Sequence, residues 1–433
     1  MPPLSPDRLP GFSLNMSGVL GLMGGDDAIS AIATAHVYGN RRWLGWYNTP
    51  GSFQIFKRLG SFAKSVSPTG SPVKSIHADL RMLLDLDARK GPKFRAAHSG
   101  TVMEETGDLA TLFLQECATW KPEGRVVPGR RTQAVRITIA DLGQAPASEM
   151  RPALISASTV FFASLSIFIS VTACALCAAY EDWCASLSIL VGILARGAFC
   201  FILGSADFLF NHLVPATGSP AGDGMLDSGE HVVLLRGEEG AVNAITRGKF
   251  TIRFSSKNHY NLIRWCSFLF LIQFVLQLLL IPQASLFGQI MFLASFSVSA
   301  LSNTWLSSDK EKIHQKILLE QVFANPRLAK YTLGTPTSAV VFILLILKPQ
   351  NPRGLLNELL PDDTKVWKQW KEAILEGLRH HNDQSFRLSD KVGYLDGFTQ
   401  LEKDSLALHY EDAWAAYDGY KDYLQVTRSD LSV

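Results

Sequence analysis

WCSFLFLIQFVLQLLLIPQASLFGQIMFLASFSVSALSNTWLSS, residues 265–308, contains no Asp, Glu, Lys, Arg or His. An α-helix needs about 20 apolar residues to cross the roughly 30 Å hydrocarbon core of a bilayer. This run therefore has the length of two crossings. Pro282 and Gln283 divide it; Pro ends a helix by removing a donor and clashing with the preceding turn. The expected element is a tight helical hairpin, 265–281 and 285–306. Trp265 and Trp305 would then share one membrane face, where Trp is favoured.

Working upstream, residues 153–180 are uncharged between Arg151 and Glu181, and residues 183–205 carry only Arg196. An Arg at a helix centre costs about 2.5–3.5 kcal/mol, while each Leu, Ile, Phe or Val around it returns about 0.3–0.6. Insertion of this second segment stays favourable on that arithmetic. A fifth candidate, 331–347, is weakened at its start by Gly334, Thr335 and Pro336.

The 433-residue chain is 47% hydrophobic, and its charge is segregated. Nearly all of it lies before Arg151, between Asp207 and Arg264, and after Ser308. A net charge of +2 without a basic stripe argues against nucleic acid as a partner. The six cysteines show no disulfide-framework spacing. Cys174 and Cys177, though spaced CxxC, read as small apolar packing residues of a membrane helix.

The expected fold is an all-α membrane protein, a polytopic helical bundle of four transmembrane helices with a fifth candidate and small cytoplasmic flanking regions. Residues 1–150 read as a cytoplasmic, partly irregular region with short helices at 79–86 and 108–117 and a strand at 135–139. Residues 151–206 hold the first two spans. Residues 207–264 form a cytoplasmic loop whose stretch 232–254 reads as strand, short helix, strand. Residues 265–308 are the hairpin, and 309–350 a helix plus the fifth candidate. Residues 351–433 are a soluble tail with an amphipathic helix at 364–380, ending in a Tyr-rich, acidic stretch expected to be only partly ordered. Arg and Lys favour the cytoplasmic side of a span. They are absent from the turn at 181–182 and from the Pro282 turn, and frequent in 207–264 and after 308. The N-terminus is thus expected in the cytoplasm.

Four stretches carry a family resemblance: YEDWCASLSILVGILARG (180–197), VVLLRGEEGAVNAITRG (232–248), LLLIPQASLFGQIMF (278–292) and LSSDKEKI (306–313). With them, residues 144–319 resemble a group of uncharacterised multi-pass membrane proteins of fungi. The resemblance implies a membrane fold and transfers no activity and no site residues.

Arg196 is the foremost functional candidate, because ionisable groups inside a membrane mark functional sites by default. Two seats are open to it: snorkelling to the cytoplasmic headgroups, which the topology favours, or facing the bundle interior. Ser188, Gly192, Arg196, Cys200 and Gly204 recur every fourth residue, a face suited to close helix contact. Ser166, Ser170, Cys174 and Ala178 form a similar stripe. Gln273, Gln277, Gln289 and Asn303 are intramembrane amides that need partners. Glu181 and Asp182 read as solvated interface acids. The glycine-rich stretch 218–224 lacks the Lys-Ser/Thr of a phosphate cradle. No nucleophile–base pair, metal cluster or cofactor motif is visible, so no cofactor is expected and the sequence leans away from an enzyme. The expected partners are the lipid bilayer and a second copy or another membrane protein. The expected role is a non-catalytic scaffold or accessory protein. The alternative is a small transporter or channel in which Arg196, Gln273 and Gln277 face the interior.

Overall fold

The computed structural model describes residues 24–32, 42–65, 76–79, 91–120, 124–143, 157–229, 231–254, 257–308, 320, 323, 325–379 and 397–431. The helix expected over 79–86 lies outside them except for Asp79, and the start of the 309–350 segment also lies outside. The chain forms two compact units, each assembled from three pieces: 1–89, 148–211 and 249–317 in the first, and 90–147, 212–248 and 318–433 in the second.

The first unit is built on four long helices: α4 (Ala157–Ala179), α5 (Trp183–Leu203), α7 (Lys257–Leu280) and α8 (Leu286–Ser308). All four are long and apolar enough to cross a membrane. At 1.5 Å per residue each is about 30–36 Å long. The hairpin turn falls where Pro282 demands it, as a 3-10 turn at Ile281–Gln283. Helices α1 (Gly25–Ile32) and α2 (Ser52–Ser65) pack on α8 and α7 respectively. Strands β1 (Ile76–Asp79), β6 (Asp207–Asn211) and β9 (Lys249–Phe254) form a small antiparallel sheet in the order β1-β9-β6.

The polarity of this unit is inverted relative to a water-soluble bundle. Arg196, Gln273, Asn303, Ser166, Ser170, Ser295 and Ser299 are fully buried, whereas Phe168 is 69%, Trp265 68% and Leu301 72% exposed. Exposed Trp43, Trp265 and Trp305, with Trp183 and Tyr180, add the aromatic character expected of membrane interfaces. In water such an arrangement would forfeit the burial of apolar surface, about 25 cal/mol per Å².

The second unit is not all-α, which corrects the expected fold class. Its seven-stranded mixed sheet takes β2 (Lys93–Ala96), β3 (Val102–Met103), β4 (Arg125–Val126), β5 (Val135–Asp141), β7 (Gly224–Asp227), β8 (His231–Arg236) and β10 (Arg327–Leu333) in the order β3-β2-β7-β8-β5-β10-β4. The β5–β8 and β10–β4 pairs are parallel. The flanking regions looked small and irregular because their strands are short and far apart in sequence. Helices α3 (Asp108–Thr119) and α6 (Glu239–Thr246) lie at the positions read from the sequence.

The fifth membrane candidate is the end of β10 followed by α9 (Pro336–Leu347), the central core helix of this unit. Every residue from Thr337 to Leu347 is buried. At 12 residues α9 spans about 18 Å, too short to cross a bilayer. The Thr335-Pro336 pair that weakened the sequence reading is in fact the helix start signal. Thr335 and Ser338 form a reciprocal capping box, with Pro336 in the first turn. Helices α10 (Pro352–Leu359), α11 (Lys365–Arg379) and α12 (Gln400–Leu431) complete the unit. The Tyr-rich end, expected to be partly ordered, forms the 32-residue α12, which packs Ala413, Ala416, Tyr417 and Tyr420 into the core.

Candidate functional site

The segment 42–51 is the feature that builds the site, and it lies in a region read from the sequence as soluble. It runs along α5 from one end towards the other. Arg42 Nε donates to the Gly204 carbonyl at 3.1 Å, Trp46 packs on Gly197, and Asn48 packs on Gly192. The glycines are required by contact: a Cβ at Gly197 would lie 2.3 Å from the Trp46 ring and one at Gly192 2.1 Å from Asn48 Oδ1. Pro50-Gly51 then turns the chain back, with Gly51 at φ +70°, a left-handed value that disfavours a side chain. The return path is α2, whose Phe53 and Phe56 rings meet Phe274 and Phe268 of α7.

The polar residues of four helices converge on the tip of this segment. Arg196 of α5 donates through Nη1 to Thr49 Oγ1 at 2.6 Å and through Nη2 to Asn303 Oδ1 at 3.0 Å and to the Tyr47 hydroxyl. Its guanidinium also lies 4.1 Å from the centroid of the Tyr47 ring. Tyr47 Oη donates to Asn303 Oδ1 at 2.9 Å, and Asn303 Nδ2 donates to Thr49 Oγ1 at 3.3 Å. From α7, Gln273 Nε2 donates to the Thr49 carbonyl at 3.2 Å and Gln277 Nε2 to Asn48 Oδ1 at 3.4 Å. From α4, Ser170 Oγ accepts from the Asn48 backbone N–H at 3.1 Å and sits 3.1 Å from Ser295 Oγ of α8.

Of the candidates read from the sequence, Arg196, Gln273, Gln277 and Asn303 thus meet in one cluster. Gln289 does not. Its Nε2 donates to the carbonyls of Ile281 and Ala284 at 3.3 and 3.1 Å and ties down the hairpin turn. Arg196 does not snorkel; it is fully buried. The small-residue face of α5 receives the protein's own segment 42–51, and the stripe of α4 meets α8 through Ser166–Ser302 at 2.7 Å. Tyr47, Asn48 and Thr49 were missed because a segment that enters and leaves the bundle from one end needs only half the apolar length of a span. A hydropathy window tuned to about 20 residues does not register it.

The electrostatics of the cluster are unusual. Its acceptors on Arg196 are all neutral, and among the described residues no carboxylate reaches the guanidinium. Hydrogen bonds to a charged group contribute about 1.5–3 kcal/mol each. These offset the several kcal/mol of desolvation of a buried ion, but they leave its charge uncompensated.

Asp182, read as a solvated interface acid, is buried instead. It caps α5 by accepting from Ala185 N at 3.1 Å and clamps the second turn by accepting from Ser285 N at 2.8 Å and Ser285 Oγ at 2.5 Å. The two turns at this end of the bundle are therefore joined by one carboxylate.

The second unit carries a cleft of about 650 Å³ at the carboxyl ends of the parallel strands β5 and β8, lined by Asp141, Asp223, Arg236, Glu238, Glu239 and the stretch around Gly218. Arg236 is engaged by Asp141 at 3.2 Å and by Tyr423. Burial, then the Asp141 carboxylate, holds the Tyr423 hydroxyl above the usual phenol range. Four carboxylates, Asp141, Asp223, Glu238 and Glu239, thus face one guanidinium, Arg236, in the lining. No grouping of metal-ligating side chains occurs among the described residues. No protein-family model, curated protein or solved structure matches this chain, so the geometry alone carries the functional reading.

Proposed function

We propose that the chain is a polytopic integral membrane protein that crosses the bilayer four times and acts without catalysis, as a scaffold or accessory subunit. The inverted polarity of the first unit supports membrane insertion. The observation that carries the scaffold reading is the occupation of the bundle's polar face by Tyr47, Asn48 and Thr49, which are hydrogen-bonded to residues of α4, α5 and α7. On this reading 42–65 is a re-entrant segment that closes the bundle from within. The sheet of the second unit takes strands from before the first span, between the second and third, and after the fourth. One sheet cannot be built across a bilayer, which supports two hairpins and a common side for these regions. The basic residues of 207–264 favour the cytoplasm for that side.

One observation favours a second reading, a small transporter or channel. Irregular backbone at membrane depth is tolerated only inside protein or beside a cavity, and in transporters such breaks bear substrate sites. The uncompensated Arg196 beside Thr49 has that character. Two measurements separate the readings. Alkaline carbonate should leave the full-length protein in the membrane pellet; release into the wash would defeat both. An Asn48→Cys variant should resist aqueous thiol reagents if the segment seals the bundle, and rapid labelling would favour the transporter.

A further inference from the structure

We infer that Arg196 binds a small monovalent anion of halide size within the four-helix bundle. The guanidinium is fully buried and carries one positive charge that no carboxylate among the described residues balances. Its Nη1 and Nη2 are engaged by neutral oxygens, but its Nε–H has no acceptor. The same is true of Trp46 Nε1–H and of the Asn48 amide Nδ2–H.

All three donors belong to the contact between segment 42–51 and α5. Trp46 lies against Gly197, Asn48 against Gly192, and Arg196 between them. These positions cover about 7 Å of helix. Buried N–H groups are almost always paired, and a buried cation is ordinarily paired with an anion. An anion that accepts the Arg196 Nε–H meets both requirements at the guanidinium. A single positive charge calls for a single negative one, because a divalent oxoanion would bury excess charge. The close packing of Trp46 and Asn48 on glycines favours a small ion over an organic carboxylate.

The inference concerns binding and holds whether or not a solute crosses the bundle. The test uses the full chain purified in detergent. Radiolabelled chloride should bind saturably at about one ion per chain, and chloride should raise the melting temperature by several degrees over gluconate at equal ionic strength. Arg196→Gln should abolish both effects. Asn303→Asp places a carboxylate where Oδ1 now lies 3.0 Å from Arg196 Nη2. It should raise the melting temperature in gluconate and erase the chloride response. Absence of saturable chloride binding to the wild-type protein overturns the inference whichever variants fold, as does a full chloride response in Asn303→Asp. Neither outcome depends on the Asn48→Cys labelling that separates scaffold from transporter.

Discussion

Replacing Gly192 by Ala tests whether segment 42–51 seats on α5. The added methyl would lie 2.1 Å from Asn48 Oδ1 and 3.2 Å from Gln273 Nε2. Ordinary contact needs more than 3 Å, so Asn48 must retreat by about 1 Å, a degree of overpacking that costs about 1–3 kcal/mol. Its retreat also breaks the bonds from Gln277 Nε2 and to Ser170 Oγ, each contributing about 1 kcal/mol. Against this, Ala gains about 1 kcal/mol over Gly in helix propensity. The net loss is about 3 kcal/mol, which corresponds to a fall of about 6–12 °C for a unit of this size. Thermal unfolding followed with a thiol-reactive dye reads this directly, because Cys177, Cys200 and Cys266 are buried in the bundle. Gly60→Ala in α2 is the control. Its Cβ would meet nothing within 4 Å, so it should gain about 1 kcal/mol from propensity and the reduced freedom of the unfolded chain. A Gly192→Ala protein that melts at or above the wild-type temperature would refute the seating of Asn48, and with it the assembly of the polar cluster.

Two further outcomes follow from the same kind of reasoning. Asp182→Ala removes the α5 cap, about 1 kcal/mol, and strands the Ser285 N–H and hydroxyl, about 1–3 kcal/mol more; the dye assay should show a lower melting temperature, and no change would mean the turns are not clamped. In the second unit, burial and then the charges of Lys330 and Arg136 push the His231 imidazole down to about 4 from an ordinary 6.5. The unfolded chain therefore binds the proton more readily. The stabilisation is complete above pH 6.5 and is lost as pH falls towards 4, by about 2–3 kcal/mol after allowance for screening. Burial lowers His409 in the same direction. A His231→Leu protein should show a flatter decline in stability between pH 6.5 and 4, and an unchanged slope would remove His231 as its source.

The four long helices were legible from residues 265–308 and 153–205 because hydrophobic length is a property of consecutive residues, and a bilayer reads it in the same way. Arg196, Gln273, Gln277 and Asn303 were legible as individuals for a related reason: a polar side chain in an apolar run demands a partner wherever it sits. What they share could not be read, since Tyr47, Asn48 and Thr49 lie more than 100 residues from their partners. The fate of 331–347 was equally undecided. An apolar run of that length suits a short membrane segment or the core helix of an α/β unit, and only the strands and helices packed around α9 distinguish the two. Local composition is enough to mark the segments that avoid water, because it needs no knowledge of distant partners. Which of those segments stay on the outside of their unit and which form its core depends on tertiary structure, because the packing surfaces come from residues remote in the chain.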